Sequence, residues 1–376
     1  MRFLLLCLLG LTFLFLVAEL LARAWLHLFG RYYVWPPGAR LEMTTDREAM
    51  PELEPLIRVE FNRDGERGGE LPPDWKDTLR ILVAGGSVAE CWYLDQRSSW
   101  PQVIERRLNE PENLARLGVS RAYVGNVARS LLTCDHIGRI FDRILPRYER
   151  LDAILLMVGA SDLVHWLEMG TPLVIDEYEL PLDSLFGQNP EGPFIGIRRF
   201  AVWRVAAIWR RRLLRPVVRH ENAGRRIARA RQARARAKTF LREVPDPAPM
   251  LDRFEQSLRT LVEKARAKAR RVILVRQPWL ETKLTPEDEK KLWMFWAGSM
   301  RHEATSTYYA LDVVWSLMRK VDERVVRVAQ DLGVETIDLR PVVPPSFELW
   351  YDEMHHNARG CERIGEAVAG RLLGRA

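Results

Sequence analysis

The stretch Arg80-Ile81-Leu82-Val83-Ala84-Gly85-Gly86-Ser87-Val88-Ala89-Glu90 decides how this chain is read. Residues 79–84 form a short, largely apolar run that ends at a glycine pair, the pattern of a buried strand. Gly85-Gly86 permits a sharp turn, and the residues after it suit a helix, so Ser87 sits where a strand ends and a helix begins. Ligands of parallel α/β sheets gather beyond the carboxyl ends of strands, and the first N–H groups of a following helix are available there. The stretch is not a P-loop, because no Gly-Lys-Ser/Thr follows, and it is not a Gly-x-Gly-x-x-Gly turn. Ser87 is therefore a candidate nucleophile, provided a base takes its proton.

Working outward, apolar runs at 122–124, 151–158, 272–275 and 334–339 predict further short strands. Amphipathic stretches at 100–108, 136–145, 251–269 and 308–332 predict helices between them. Short apolar strands alternating with helices imply a parallel sheet covered on both faces. Gly159-Ala160-Ser161-Asp162 and Arg276-Gln277-Pro278-Trp279 fall at the carboxyl ends of two of these strands. Gln277 and, near the end of another strand, Asn126 are candidates for contacting substrate. His136 and His165 read as ordinary polar residues, and Asp162 as a helix N-cap.

Near the C-terminus stands Tyr351-Asp352-Glu353-Met354-His355-His356-Asn357-Ala358-Arg359-Gly360. Three residues separate Asp352 from His355, a spacing that lets the carboxylate meet the imidazole and set its tautomer. His356 is the alternative, one residue further from Asp352. Ser87, His355 and Asp352 thus supply a nucleophile, a base and an orienting carboxylate.

This combination resembles the SGNH/GDSL hydrolase superfamily, particularly its membrane-anchored bacterial members, over residues 79–372 apart from a basic insertion. Gly85-Gly86-Ser87 matches the first block, and Asp352 with His355 the last, continued by Asn357 and Gly360. Gly125-Asn126-Val127-Ala128 stands at the second block, with Ala128 at the place of the oxyanion glycine. Gly159-Ala160-Ser161-Asp162 stands at the third, where Ser161 replaces the asparagine whose amide donates to the oxyanion. The resemblance implies a three-layer α/β/α sandwich around a central parallel five-stranded sheet. It also implies hydrolysis of ester-linked acyl groups, with the N–H groups of Ser87 and Ala128 and the Ser161 hydroxyl as the oxyanion hole.

The chain has 376 residues, 47% of them hydrophobic and 28% charged, so most of it should fold. Four cysteines (Cys7, Cys91, Cys134 and Cys361) show no CxxC spacing, and no metal or cofactor motif is visible. Residues 3–18 carry no charge, and about 20 apolar residues span a bilayer. Ala22-Arg23-Ala24-Trp25 is a poor cleavage site, which favours a retained anchor over residues 1–30 rather than a removed signal peptide. Residues 31–76, rich in Pro, Gly and charge, suggest a linker or an ordered arm. Residues 77–376 form the hydrolase-like domain, with an insertion at about 165–249.

The net charge of +7 is local, since residues 198–242 hold sixteen Arg or Lys against the single carboxylate of Glu221. A basic amphipathic helix with Trp on its apolar side suits an anionic membrane surface. Nucleic acid is the less favoured partner, and a solvated basic face the plainest reading. The expectation is a serine esterase or deacylase in the bacterial cytoplasmic (inner) membrane, single-pass, its domain on the periplasmic or extracellular side. Its substrate would be an acylated glycan of the cell envelope, for example an acetylated one, or a small ester. An O-acyltransferase using the same triad and a non-catalytic binding protein of the envelope are the alternatives.

Overall fold

The structure, a computed structural model, describes residues 2–29, 32–175, 185–186, 200–214, 217–298 and 306–374. From the N-terminus, α1 (Arg2–Phe29) precedes a hairpin of β1 (Arg40–Thr45) and β2 (Leu56–Glu60). Strand–helix alternation begins with β3 (Thr78–Gly85), the one-turn α2 (Ser87–Glu90), α3 (Trp100–Leu108) and α4 (Pro111–Leu117). It continues through β4 (Arg121–Asn126), α5 (Cys134–Ile144), β5 (Leu151–Met157) and α6 (Ala160–Glu168). Next come α7 (Ala201–Leu214), β6 (Val217–Ala223), α8 (Arg225–Ala235) and β7 (Thr239–Leu241). The remainder is α9 (Ala248–Arg266), β8 (Ala269–Arg276), α10 (Pro286–Glu289), β9 (Thr307–Tyr309), α11 (Leu311–Leu332), β10 (Glu335–Asp338) and α12 (Ala358–Leu372).

The central sheet has five strands in the order β10-β8-β5-β3-β4, all parallel. Side chains alternate along each strand with period two. Leu82 and Ala84 of β3 pack with Ile154, Leu156 and Leu274 into the layer of α5, α6, α9 and α11. Ile81 and Val83 pack with Leu155 and Ile273 into the opposite layer, that of α3 and α12. In α3, Trp100, Ile104 and Leu108 recur every four residues and are fully buried with Ile364 and Val368 of α12. Each such side chain contributes about 1.5–3 kcal/mol of burial. The expected α/β/α sandwich is therefore the architecture observed.

Several boundaries differ from the sequence reading. Residues 308 and 309 are expected to be helical, but with Thr307 they pair in parallel with β7 as β9, and α11 starts at Leu311. Apolar periodicity does not separate a three-residue strand from a first helical turn. Residues 32–76 form an ordered arm. There β1 pairs with β2 and, in parallel, with β6, a strand from the basic stretch. Trp35 stacks on Phe61 and Trp92 at 4.7 and 5.4 Å. The buried Glu66 of the arm accepts hydrogen bonds from the hydroxyls of Tyr123 (2.7 Å) and Tyr148 (2.5 Å), which offsets the cost of burying a carboxylate.

The basic segment is not one helix. It divides into α7, β6 and α8, and α8 turns Arg231 and Arg234 into the protein. α7 lies along α1, where Ala22 and Leu26 meet Ala201 and Ile208. Glu19, the one carboxylate of α1, is only 1% exposed. It accepts the first N–H groups of α7, from Ala201 at 3.0 Å and Val202 at 3.1 Å, and pairs with Arg23 at 2.9 Å. Over 2–28, α1 is long and apolar enough to cross a membrane, and its most apolar 18-residue window has a mean hydropathy of 2.6.

Candidate active site

Ser87 opens α2, directly beyond the end of β3. Both glycines before it are required by close approach. A Cβ on Gly85 would run into the carbonyl oxygen of Met157, and one on Gly86 would lie 2.5 Å from Ser161 Oγ. Gly86 brings no side chain to cap α2, so the leading N–H groups of that helix have no intrahelical partner.

His355 and Asp352 come from the loop before α12. Ser87 Oγ lies 2.7 Å from His355 Nε2, and His355 Nδ1 lies 2.9 Å from each oxygen of Asp352. Asp352 is fully buried and also accepts the backbone N–H groups of Met354 (2.9 Å) and His355 (2.7 Å) through Oδ1. Trp293 Nε1 donates to Oδ2 at 2.7 Å. Tyr351 stacks on the His355 ring, with centroids 5.5 Å apart and planes at 7°. Burial opposes charge on both partners, but their mutual attraction prevails. The Asp352 carboxyl is held below its ordinary range and the His355 imidazole above its own.

His356 does not join this relay. Its ring packs on Trp350 at 3.9 Å, neither nitrogen has a partner among the described residues, and burial depresses its pKa to about 3.

Several supporting groups had no signal in local sequence. Glu353 accepts the N–H groups of Trp293 (3.0 Å) and Met294 (2.7 Å), which fixes the chain that carries the Trp293 indole. Arg231 of α8 donates to the carbonyl of Tyr351 at 2.5 Å and to that of Lys291 at 3.1 Å. Arg67 of the arm is buried and donates to the carbonyls of Glu90 (2.5 Å), Cys91 (2.7 Å) and Leu94 (2.7 Å), just after the nucleophile's turn. An arginine buried among carbonyls within the arm or a basic run has the same local sequence as one in solvent.

Of the expected oxyanion donors, Ser161 reaches the cleft beside Ser87, and its hydroxyl makes no hydrogen bond among the described residues. Ala128 differs. Its N–H donates to Asn126 Oδ1 at 2.9 Å, so it is already engaged. Asn126 is buried, and its amide donates to the Ala89 carbonyl at 2.7 Å, which ties β4 to α2 and turns the side chain away from the cleft. Gln277 lines the cleft with Ser87 and Ser161. The cleft is narrow, about 20 Å³, with Leu131, Val164, Met294 and Met354 among its walls.

The other polar candidates are structural. His136 forms a capping box with Thr133, and His165 Nε2 lies 2.8 Å from the carbonyl of Leu131. Asp162 does not cap its own helix, which begins after Gly159. Its Oδ1 accepts the N–H of Cys134 at the start of α5.

No protein-family model matches the chain, and no curated protein matches it. Solved structures similar to it include a member of the lipolytic G-D-S-L family from Veillonella parvula, at 11% identity and TM-score 0.38, over 77% of this chain and 96% of that one. The psychrotrophic esterase EstA from Pseudoalteromonas sp. is similar at 12% identity and TM-score 0.41, over 79% of this chain and 97% of its own. The acetylxylan esterase Axe2 from Geobacillus stearothermophilus is similar at 14% identity and TM-score 0.39, over 79% of this chain and 94% of its own.

Proposed function

We propose that this protein is a membrane-anchored serine esterase or deacylase that removes a short ester-linked acyl group. The observation that carries the reading is the unbroken relay from Ser87 Oγ through His355 to the buried Asp352. Ser87 Oγ attacks the acyl carbonyl while His355 Nε2 takes its proton, and Asp352 stabilises the imidazolium. His355 then returns the proton to the departing alcohol, leaving the acyl group on Ser87. Water, deprotonated by His355, attacks that ester. The carboxylic acid leaves, and Ser87 recovers its proton. The Ser87 N–H and the Ser161 hydroxyl face the oxygen on which charge develops.

The narrow, largely apolar cleft favours an acetyl-sized acyl group. An apolar α1 and a domain outside the cytoplasmic membrane would direct the activity to acylated glycans of the cell envelope. Trp203, Trp209, Leu213 and Leu214 of α7, exposed beside α1, would add a second contact with the lipid surface.

The test uses the full chain in detergent. Ser87→Ala should abolish hydrolysis of p-nitrophenyl acetate and labelling by a fluorophosphonate, with the thermal unfolding temperature unchanged. Undiminished turnover would overturn the assignment. Adding an acceptor glycan and analysing products separates hydrolysis from transfer of the same acyl group.

A further inference from the structure

We infer that Gln277 supplies the side-chain amide of the oxyanion hole, donating through Nε2 to the acyl oxygen in the cleft. The inference rests on the hydrolytic reading of Ser87 and extends it to a residue of another strand. Gln277 is 8% exposed and lines the cleft that holds Ser87. Its Nε2 is buried and has no hydrogen-bond partner among the described residues. A buried donor left unpaired is costly, and this one stands in the wall of the cleft beside Ser87, where an acyl oxygen would supply the missing acceptor.

The surroundings fix the backbone that carries this amide. The preceding Arg276 is fixed by Asp322, at 2.8 and 2.5 Å, and by Asp338 at 2.8 Å. The following Pro278 restricts the backbone of Gln277 to extended conformations. Gln277 thus projects from the end of a central strand, with β5 between it and the strand of Ser87. A donor on a rigid element needs no reorganisation when charge appears.

Among the described residues that line the cleft, no other side chain carries an amide. The Ala128 N–H is engaged by Asn126, and Ser161 offers a hydroxyl that both donates and accepts, in place of an amide. The Nε2 of Gln277 can only donate. It fills the chemical role that Ser161 leaves open, from the neighbouring strand.

The experiment compares Gln277→Leu and Gln277→Glu with wild type and with Ser87→Ala, as full chains in detergent, on p-nitrophenyl acetate. Removing one oxyanion donor lowers kcat by about 10²–10³. Both Gln277 variants should show that loss with KM changed less than about threefold, and fluorophosphonate should label them correspondingly slowly. Gln277→Glu keeps the shape and tests the donor if Gln277→Leu unfolds. A variant with wild-type kcat, or one whose loss lies in KM alone, overturns the inference while an inactive Ser87→Ala leaves the esterase reading standing. An active Ser87→Ala overturns both.

Discussion

The indole N–H of Trp293 donates to Asp352 Oδ2 at 2.7 Å, on the carboxylate that meets His355. Trp293 stacks on Trp296 with ring centroids 5.9 Å apart, so a phenylalanine at 293 can keep that packing and lose only the donor. Trp293→Phe should lower kcat on p-nitrophenyl acetate by about tenfold to a hundredfold, the loss of one hydrogen bond to a charged group. Without that donor the carboxylate becomes more basic and attracts the imidazolium more strongly. The acid limb of the rate profile should therefore move to higher pH, and an unmoved limb would contradict the role given to Trp293.

His355 must be neutral to accept the Ser87 proton. The Asp352 charge raises its pKa, so activity is present above that pKa and lost as pH falls through it. The midpoint of the acid limb in kcat/KM should lie above the ordinary histidine value of about 6.5. Asp352→Asn removes the charge and the correct tautomer together. It should lower kcat by about 10⁴ and shift the remaining acid limb downward, as read from initial rates across pH 5–9.

Asp162 gives a stability test independent of catalysis. Its carboxyl is buried, Oδ2 has no partner among the described residues, and burial raises its pKa to about 7. The native state therefore binds a proton that the unfolded chain releases near pH 4, so stability falls as pH rises between about 4 and 7. Asp162→Asn should flatten that slope and stabilise the protein above pH 7 by about 1–3 kcal/mol. Urea unfolding at pH 5 and pH 8 measures it, and equal slopes in the two proteins would refute the account.

Sequence alone made the candidate triad legible because each of its residues is marked locally. Ser87 follows a glycine pair at a strand end, and Asp352 and His355 are three residues apart. The strand and helix pattern was legible for the same reason, since burial on a sheet imposes short apolar runs. What supports the triad was not. Trp293 is 59 residues from Asp352 and Arg231 is 120 from Tyr351, so no local spacing reports either contact. Composition misled in the basic segment, where Arg231 and Arg234 serve buried carbonyls while the count of charges suggested a surface. Alignment of blocks placed Ala128 in the oxyanion hole, yet a side chain two residues earlier occupies its N–H.

The arm leaves no spacer between the apolar helix and the catalytic domain. Tyr32 is already fixed to the domain, its carbonyl accepting from Arg147 at 2.8 Å and its ring meeting Phe186 at 4.9 Å. Three residue steps separate Phe29 from Tyr32, a reach of about 10 Å. With α1 in a bilayer, Ser87 cannot sweep through the volume above the membrane as a head on a long tether would. On the esterase reading proposed above, the ester groups that Ser87 meets would have to arrive in a layer close to the membrane surface.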